Sequence, residues 1–125
     1  MIKVIFLVFV GGGVGAILRE LLMLSVPNLA DAFPLDILAA NLVASFLLGF
    51  GTALHSRKVV SDGVNSLLGT GIAGGLSTFS SFAYGVVVLA TASATGALVS
   101  SAYVVVSIVM GYVAVIAGLM LGRRD

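Results

Sequence analysis

The residues of this chain that are best suited to chemistry lie in one glycine-rich, hydroxyl-rich stretch. Residues 69–85 read GTGIAGGLSTFSSFAYG, in which glycines weaken a helix and hydroxyls can bond the backbone groups that are freed. Carbonyls of an interrupted helix can hold a cation, and a membrane tolerates such a break only inside protein or beside a water-filled cavity. The pattern therefore predicts a broken helix at an ion site, with a kinked packing helix as the alternative.

Two phenylalanines of this stretch are placed to act on an anion. Phe79 and Phe82 are three residues apart, so they share one face of a helix. The edge of an aromatic ring is positive, and ring edges along a narrow path attract a small anion without a full charge. Because conduction requires that an ion can also leave, such weak binding suits a channel. The alternative is that both rings provide only packing bulk.

Further hydrogen-bond donors lie in two other apolar segments. Asn41 is costly in an apolar span unless its amide is paired, and Ser45 follows one turn later on the same face. Tyr103 and Ser107 are four residues apart and form a polar stripe on a fourth segment. These side chains fit either hydrogen bonds between helices or the lining of an anion path.

Charged residues offer little for catalysis. Arg19 fits a vestibule that attracts anions or a side chain that snorkels to the headgroups, and Glu20 fits proton coupling or an interfacial role. His55 is the one histidine and there is no cysteine, which excludes thiol chemistry and a multi-histidine metal site. No catalytic constellation emerges, so we expect no enzyme. A net charge of +1 is too small for a nucleic-acid-binding surface.

The composition places these residues in a membrane. The chain has 125 residues, of which 60% are hydrophobic and 9% charged, whereas soluble domains carry about 25% charged residues. The length predicts a single domain over residues 1–125. We interpret the first apolar run as a retained helix and not as a cleaved secretory signal, because VIFLVFVGGGVGA lacks a convincing cleavage site.

Four apolar segments are long enough to cross a bilayer as helices, which takes ~20 residues. We predict helices at residues 4–26, 36–54, 63–91 and 96–121, with a proline-containing loop at residues 27–36. Strands of a membrane barrel would alternate apolar and polar residues, and these segments are apolar on every face. Two small-xxx-small pairs, Gly11 with Gly15 and Ser45 with Gly49, predict close helix packing.

The charges predict an orientation. Four spans place both termini on one side, and the positive-inside rule makes this side cytoplasmic. Five cations lie there and Arg19 lies on the other side; the five are Lys3, Arg57, Lys58, Arg123 and Arg124.

Taken together, three segments resemble the Fluc/CrcB family of fluoride ion channels, and the resemblance covers nearly the whole chain. They are GGGVGAILRE (residues 11–20), NLVASFLLGF (41–50) and, most specifically, GIAGGLSTFSSF (71–82). The resemblance implies an all-α protein with four transmembrane helices, a broken third helix, and an antiparallel dual-topology homodimer with two pores. It further implies passive fluoride efflux through the cell inner membrane, which protects a microbial cell from fluoride.

The resemblance also implies roles for single residues. The residues that it assigns to the anion pathway are Arg19, Asn41, Phe79, Phe82, Tyr103 and Ser107, and we predict that the nearby hydroxyls of Ser80 and Ser81 also line it. Backbone carbonyls of Gly74 and Ser77 from both subunits would hold a buried structural sodium ion. Ser77 and Ser81 replace the usual threonines, and Gly85 stands where many members have a glutamate.

Other interpretations remain open. A small proton-coupled drug exporter would use Glu20 as its coupling carboxylate, although the chain has no tryptophan for the expected pocket. A non-transporting assembly subunit would use the glycine faces for docking. The one-sided cations favour a single orientation, whereas the resemblance implies both. We follow the resemblance and leave open a pairing with an oppositely inserted homologue.

Overall fold

The computed structural model describes residues 1–26 and 33–124, and every regular element in these ranges is helical. Four helices are long and apolar enough to cross a membrane, at Ile2–Ser25, Leu35–Ser56, Asp62–Ala92 and Gly96–Gly122. Their bounds differ from the predicted ones by no more than two residues, which confirms the four predicted spans. The predicted loop falls largely on residues 27–32, which lie outside the described ranges.

The first, second and fourth spans are continuous helices, which we call α1 (Ile2–Ser25), α2 (Leu35–Ser56) and α6 (Gly96–Gly122). The third span consists of several pieces. They are α3 (Asp62–Asn65), a π-helix (Ser66–Ala73), α4 (Gly74–Leu76) and α5 (Phe79–Ala92).

Two residues, Ser77 and Thr78, separate α4 from α5. Both have extended backbones, with φ −72° and ψ 152° at Ser77 and φ −145° and ψ 112° at Thr78. The glycines just before them lower the stability of a regular helix, and a π-helix in such a place is itself uncommon. The backbone groups of this interruption must therefore find partners outside the helix.

Glycines let α1 lie directly against the third span. A Cβ at Gly15 would overlap the carbonyl oxygen of Ile72, and one at Gly75 would overlap the carbonyl oxygen of Gly12. A Cβ at Gly11 would lie 2.8 Å from the carbonyl oxygen of Leu67. Backbone therefore packs on backbone here, which confirms the contact predicted for the first glycine pair.

A second glycine seam joins α2 to α6. A Cβ at Gly49 would overlap the carbonyl oxygen of Val115, and one at Gly118 would overlap the carbonyl oxygen of Phe46. The predicted contact at Gly49 is confirmed. The two seams hold α1 against the first part of the third span and α2 against α6, so both sides of the interruption have a firm support.

At the end of the molecule that carries most of its cations, one side chain connects the end of α2 to the end of α6. Arg57, just after α2, donates from Nη1 to the carbonyl oxygens of Gly122 at 3.1 Å and Arg124 at 2.6 Å. The last carbonyls of a helix have no partner within the helix, so an arginine here caps the end of α6.

Arg57→Ala is expected to lower the free energy of unfolding by about 1–2 kcal/mol, because carbonyls at the end of α6 lose a charged donor. The measurement is the thermal midpoint in detergent, followed by circular dichroism. Arg123→Ala is the matched control, since Arg123 is exposed at the same helix end. Equal midpoints for the two variants would contradict the capping role.

Candidate functional site

The side chain of Asn41 pairs with the interrupted backbone of the third span. Its Oδ1 accepts from the Thr78 backbone N–H at 2.8 Å, and its Nδ2 donates to the Thr78 carbonyl at 3.3 Å. A carboxamide carries the same donor and acceptor as a peptide group, so Asn41 replaces the partners that a continuous helix would supply. Asn41 thus fixes the backbone and keeps one further amide N–H.

Thr78 itself begins the second helical part. Its Oγ1 accepts from the Ser81 backbone N–H at 3.2 Å, as an N-cap does, and donates to Ser81 Oγ at 2.9 Å. Ser80 Oγ lies 3.4 Å from the same oxygen. Thr78 is one of the hydroxyls of residues 69–85 that the sequence predicted to bond freed backbone groups, and a threonine directly before a helix is a recognisable cap. Ser80 and Ser81, which were predicted to line the path, meet at this cap.

Arg19 contacts the other side of the interruption. Its Nη1 donates to the carbonyl oxygen of Gly75 at 3.3 Å, while the hydroxyl of Ser77 donates to the carbonyl oxygen of Gly74 at 3.4 Å. Both carbonyls lie where α4 ends and where helical partners run out. Arg19 therefore supports the broken backbone, and its predicted role in a vestibule stays a prediction.

A cavity of about 300 Å³ lies beside the interruption, between α2, α5 and α6. It brings together four residues that the sequence predicted for one path: Asn41, Phe79, Phe82 and Ser107. The full lining is Asn41, Ser45, Ser77, Thr78, Phe79, Phe82, Ser107 and Ile108. Ser80, Ser81, Tyr103 and Arg19 are not part of this wall.

Aromatic rings continue from the cavity into the interior. The ring centroids of Phe79 and Phe82 are 6.1 Å apart, and those of Phe82 and Tyr103 are 5.4 Å apart. Phe33 meets Tyr103 edge to face at 5.2 Å. Phe79 is 81% exposed on the single chain, whereas Tyr103 is 0% exposed. The row of rings thus leads from the surface of the chain to its core.

Two buried hydroxyls one turn apart on α6, Tyr103 Oη and Ser107 Oγ, have no hydrogen-bond partner of good geometry within the described residues, although the two side chains lie close enough to interact with each other. An unpaired buried polar group costs about 1–3 kcal/mol, so each such group requires an explanation. Ser107 lines the cavity, and Tyr103 lies one turn before it on α6 and packs on Phe82. Both are donors, so a bound hydrogen-bond acceptor would account for them.

A cation at the interruption would need backbone ligands. The described residues contain no group of three or more histidine, cysteine, aspartate or glutamate side chains that could hold a metal. Gly74 and Ser77 are both exposed on the single chain, and a Cβ at Gly74 would have only the Gly69 carbonyl oxygen, at 3.8 Å, near it. Both residues are therefore accessible on the single chain, and backbone oxygen ligands suit a hard cation.

Four helices long and apolar enough to span a membrane, with a cavity beside an interruption of the third, define a small multi-pass membrane protein. Comparison with known proteins gives the family. Residues 6–119 match the model described as CrcB-like protein, Camphor Resistance (CrcB). The chain belongs to this family, which confirms the resemblance found in the sequence.

Curated relatives from several bacteria are similar along much of the chain. "Fluoride-specific ion channel FluC 2" of Brucella melitensis biotype 1 is 58% identical over 125 residues, which are 100% of this chain and 46% of the relative. "Fluoride-specific ion channel FluC 3" of Yersinia pseudotuberculosis serotype I is 50% identical over 125 residues and 92% of its length. A FluC of Escherichia coli O139:H28 is 44% identical over 90 residues, 71% of each chain.

The relatives differ in length. The chain spans about half the length of the Brucella relatives it matches, and nearly all of the Yersinia relative. All of these relatives carry the names of ion channels and not of enzymes, in agreement with the expectation that this chain is not an enzyme.

Proposed function

We propose that this chain is the subunit of a fluoride-selective ion channel, which gives passive fluoride efflux across the cell inner membrane and protects the cell from fluoride toxicity. The names of its relatives support this function. The structural observation that carries it is the pair of neighbouring buried hydroxyls, Tyr103 Oη and Ser107 Oγ, which have no other described protein partner and lie beside a cavity with phenylalanine walls. Donors without acceptors suit an anion.

The mechanism follows from the hydration of fluoride. A small, strongly hydrated anion enters a narrow path only where donors replace its water molecules. The free N–H of Asn41, the hydroxyl of Ser107 and the ring edges of Phe79 and Phe82 offer such contacts around one cavity. No lysine or arginine lines this cavity, so the anion is not held by a full charge and can leave. The sequence has no ATP-binding motif, and transport follows the gradient.

The cavity is open on the single chain, which supports a functional homodimer. Phe79 is 81% exposed, and the neighbouring Gly74 and Ser77 are also exposed. In our proposal a second copy, inserted in the opposite orientation, covers this face. A two-fold arrangement repeats each site, so the dimer has two pores. It also distributes the one-sided cations of each chain to both membrane surfaces.

A sodium ion at the centre of this dimer would be structural. The carbonyls of Gly74 and Ser77 would hold it, two from each subunit, since no carboxylate cluster is near among the described residues. Such an ion would supply a fixed positive charge beside the anion path. In this proposal, the interruption of the third span contributes both to the sodium site and to the fluoride path.

The test is fluoride efflux from liposomes that contain only this purified protein, with chloride measured in parallel. Fast fluoride release without chloride release is the expected result. No fluoride release from folded protein, or equal release of chloride, would overturn the proposal. A Glu20→Gln variant that abolishes proton-coupled transport of lipophilic cations would instead favour the drug-exporter alternative.

Phe79→Ile and Phe82→Ile are each expected to lower fluoride flux about tenfold or more, because isoleucine keeps the apolar bulk but has no positive ring edge. Initial rates of liposome efflux measure this. Phe6→Ile is the matched control, since Phe6 is 65% exposed on α1 and lies outside the cavity. Unchanged flux in both cavity variants would refute the contribution of the ring edges.

A further inference from the structure

Several serine and threonine hydroxyls in the helices of this chain bond to the backbone of their own helix. Five of them donate to the carbonyl oxygen four residues earlier, at distances from 2.7 to 2.9 Å. They are Ser25, Thr52, Ser66, Thr91 and Ser101. This local bond satisfies a hydroxyl in an apolar environment. A helical hydroxyl that is at least half-buried and has neither this bond nor another described protein partner is an exception that calls for an explanation.

Ser45 is such an exception, in the middle of α2. Its hydroxyl has no hydrogen-bond partner among the described residues, and the side chain is half-buried. Ser45 does not bond to the carbonyl oxygen four residues earlier, which is the backbone carbonyl of Asn41. The side chain of Asn41 is itself bonded to the Thr78 backbone. Ser45 lies one turn from Asn41, so both side chains face the same side of α2.

The hydroxyl of Ser45 stands between two cavities. One is the cavity of about 300 Å³ that also contains Phe79, Phe82 and Ser107. The other, of about 200 Å³, is lined by Ala44, Ser45, Leu48, Gly69, Ala73, Gly74 and Ser77. Ser45 and Ser77 are the two residues shared by both linings.

On α6, a glycine leaves space for a side chain beside Ser45. Gly111 of α6 follows Ser107 by one turn, and a Cβ at Gly111 would lie 3.8 Å from Ser45 Oγ. The polar stripe of α6, Tyr103 and Ser107, thus ends at a glycine. The Ser45 hydroxyl of α2 lies beside the space where the next side chain of that stripe would be.

We propose that Ser45 is a further residue of the anion path, and that its hydroxyl donates to the permeating fluoride beyond Ser107, in the gap at Gly111. This inference rests on the proposed function. With Ser45, the row of hydrogen-bond donors continues past the phenylalanines. At the level of Gly111, α2 then supplies the hydroxyl that α6 lacks. Ser45 is then a binding residue for the anion and not only a packing residue.

The experiment compares three variants in the liposome assay. Ser45→Ala is expected to slow fluoride efflux about tenfold, as the loss of one hydrogen bond to a charged group would. The double variant Ser45→Ala with Gly111→Ser is expected to recover most of the rate, because it places a hydroxyl in the same gap. Thr52→Ala is the control: Thr52 is exposed on the same helix and bonds to Leu48. Size-exclusion chromatography of each variant checks that the folded protein is intact.

The outcomes separate this inference from the function on which it rests. A wild-type protein that conducts fluoride, with an unchanged rate for Ser45→Ala, overturns the role of Ser45 and leaves the channel function standing. A slow double variant assigns the effect to packing and also overturns it. A wild-type protein that releases no fluoride overturns the proposed function, and this inference with it. A slow single variant with recovery in the double variant supports the proposal.

Discussion

Asn41→Ala is expected to lower fluoride flux about 100-fold, because the change removes a donor of the path and two hydrogen bonds of the broken helix. The Thr78 N–H and carbonyl lose the partners that they have at 2.8 and 3.3 Å. Thr78 is only 8% exposed, so water cannot easily replace them. The break then loses its geometry, and the free energy of unfolding falls by about 1–3 kcal/mol.

An aspartate at this position separates the two roles of Asn41. Asn41→Asp keeps an acceptor for the Thr78 N–H but brings a negative charge to the cavity. We expect its thermal midpoint to lie closer to the wild type than that of Asn41→Ala, while its fluoride flux is equally low. Liposome efflux and circular dichroism on the same preparations measure both. Wild-type flux in Asn41→Ala would contradict both the proposed anion path and the role of Asn41 in holding the Thr78 backbone.

Gly15→Ala and Gly75→Ala are expected to destabilise the protein by about 3 kcal/mol, the upper part of the range for overpacking. A methyl group at either position would overlap a backbone carbonyl oxygen, of Ile72 or Gly12, and backbone cannot turn aside as a side chain can. α1 would have to move away from the third span, and the interruption would lose the support behind it.

Gly13→Ala provides the matched control on the same helix. A Cβ at Gly13 has nothing within 4 Å, so this change is expected to be neutral or slightly stabilising, since alanine favours a helix. Thermal unfolding in detergent and the yield of monodisperse protein distinguish the three variants. Equal behaviour of Gly13→Ala and Gly15→Ala would show that α1 does not lie against the third span as described.

The four spans were predictable because the membrane imposes a length and a composition on every helix. The small-xxx-small pairs likewise indicated which faces approach closely, as Gly11, Gly15 and Gly49 show. In the third span, the glycines and hydroxyls of residues 69–85 pointed to the region where the structure interrupts the helix. These features are local in sequence, so a single chain without relatives reveals them.

The partners of single polar groups were not predictable, because they depend on residues far away in the sequence. Asn41 meets Thr78 across 37 positions, and Arg19 meets Gly75 across 56. The sequence suggested that Asn41 needs a partner but not that the partner is backbone. Thr78 belonged to the predicted hydroxyl-rich stretch, but its pairing with Asn41 was not predicted. The π-helix at Ser66–Ala73 has no counterpart in the hydrophobic pattern, which is apolar on all faces.

The two glycine seams also bear on how this sequence can change over evolutionary time. Positions such as Gly15, Gly49, Gly75 and Gly118 have no room for any side chain, whereas residues that face the lipid need only remain apolar. Substitutions should therefore accumulate freely on the outer faces of α1 and α6. Selection should remove substitutions at the glycine seams. Relatives with few identical residues can then keep the same backbone, and with it the same cavity.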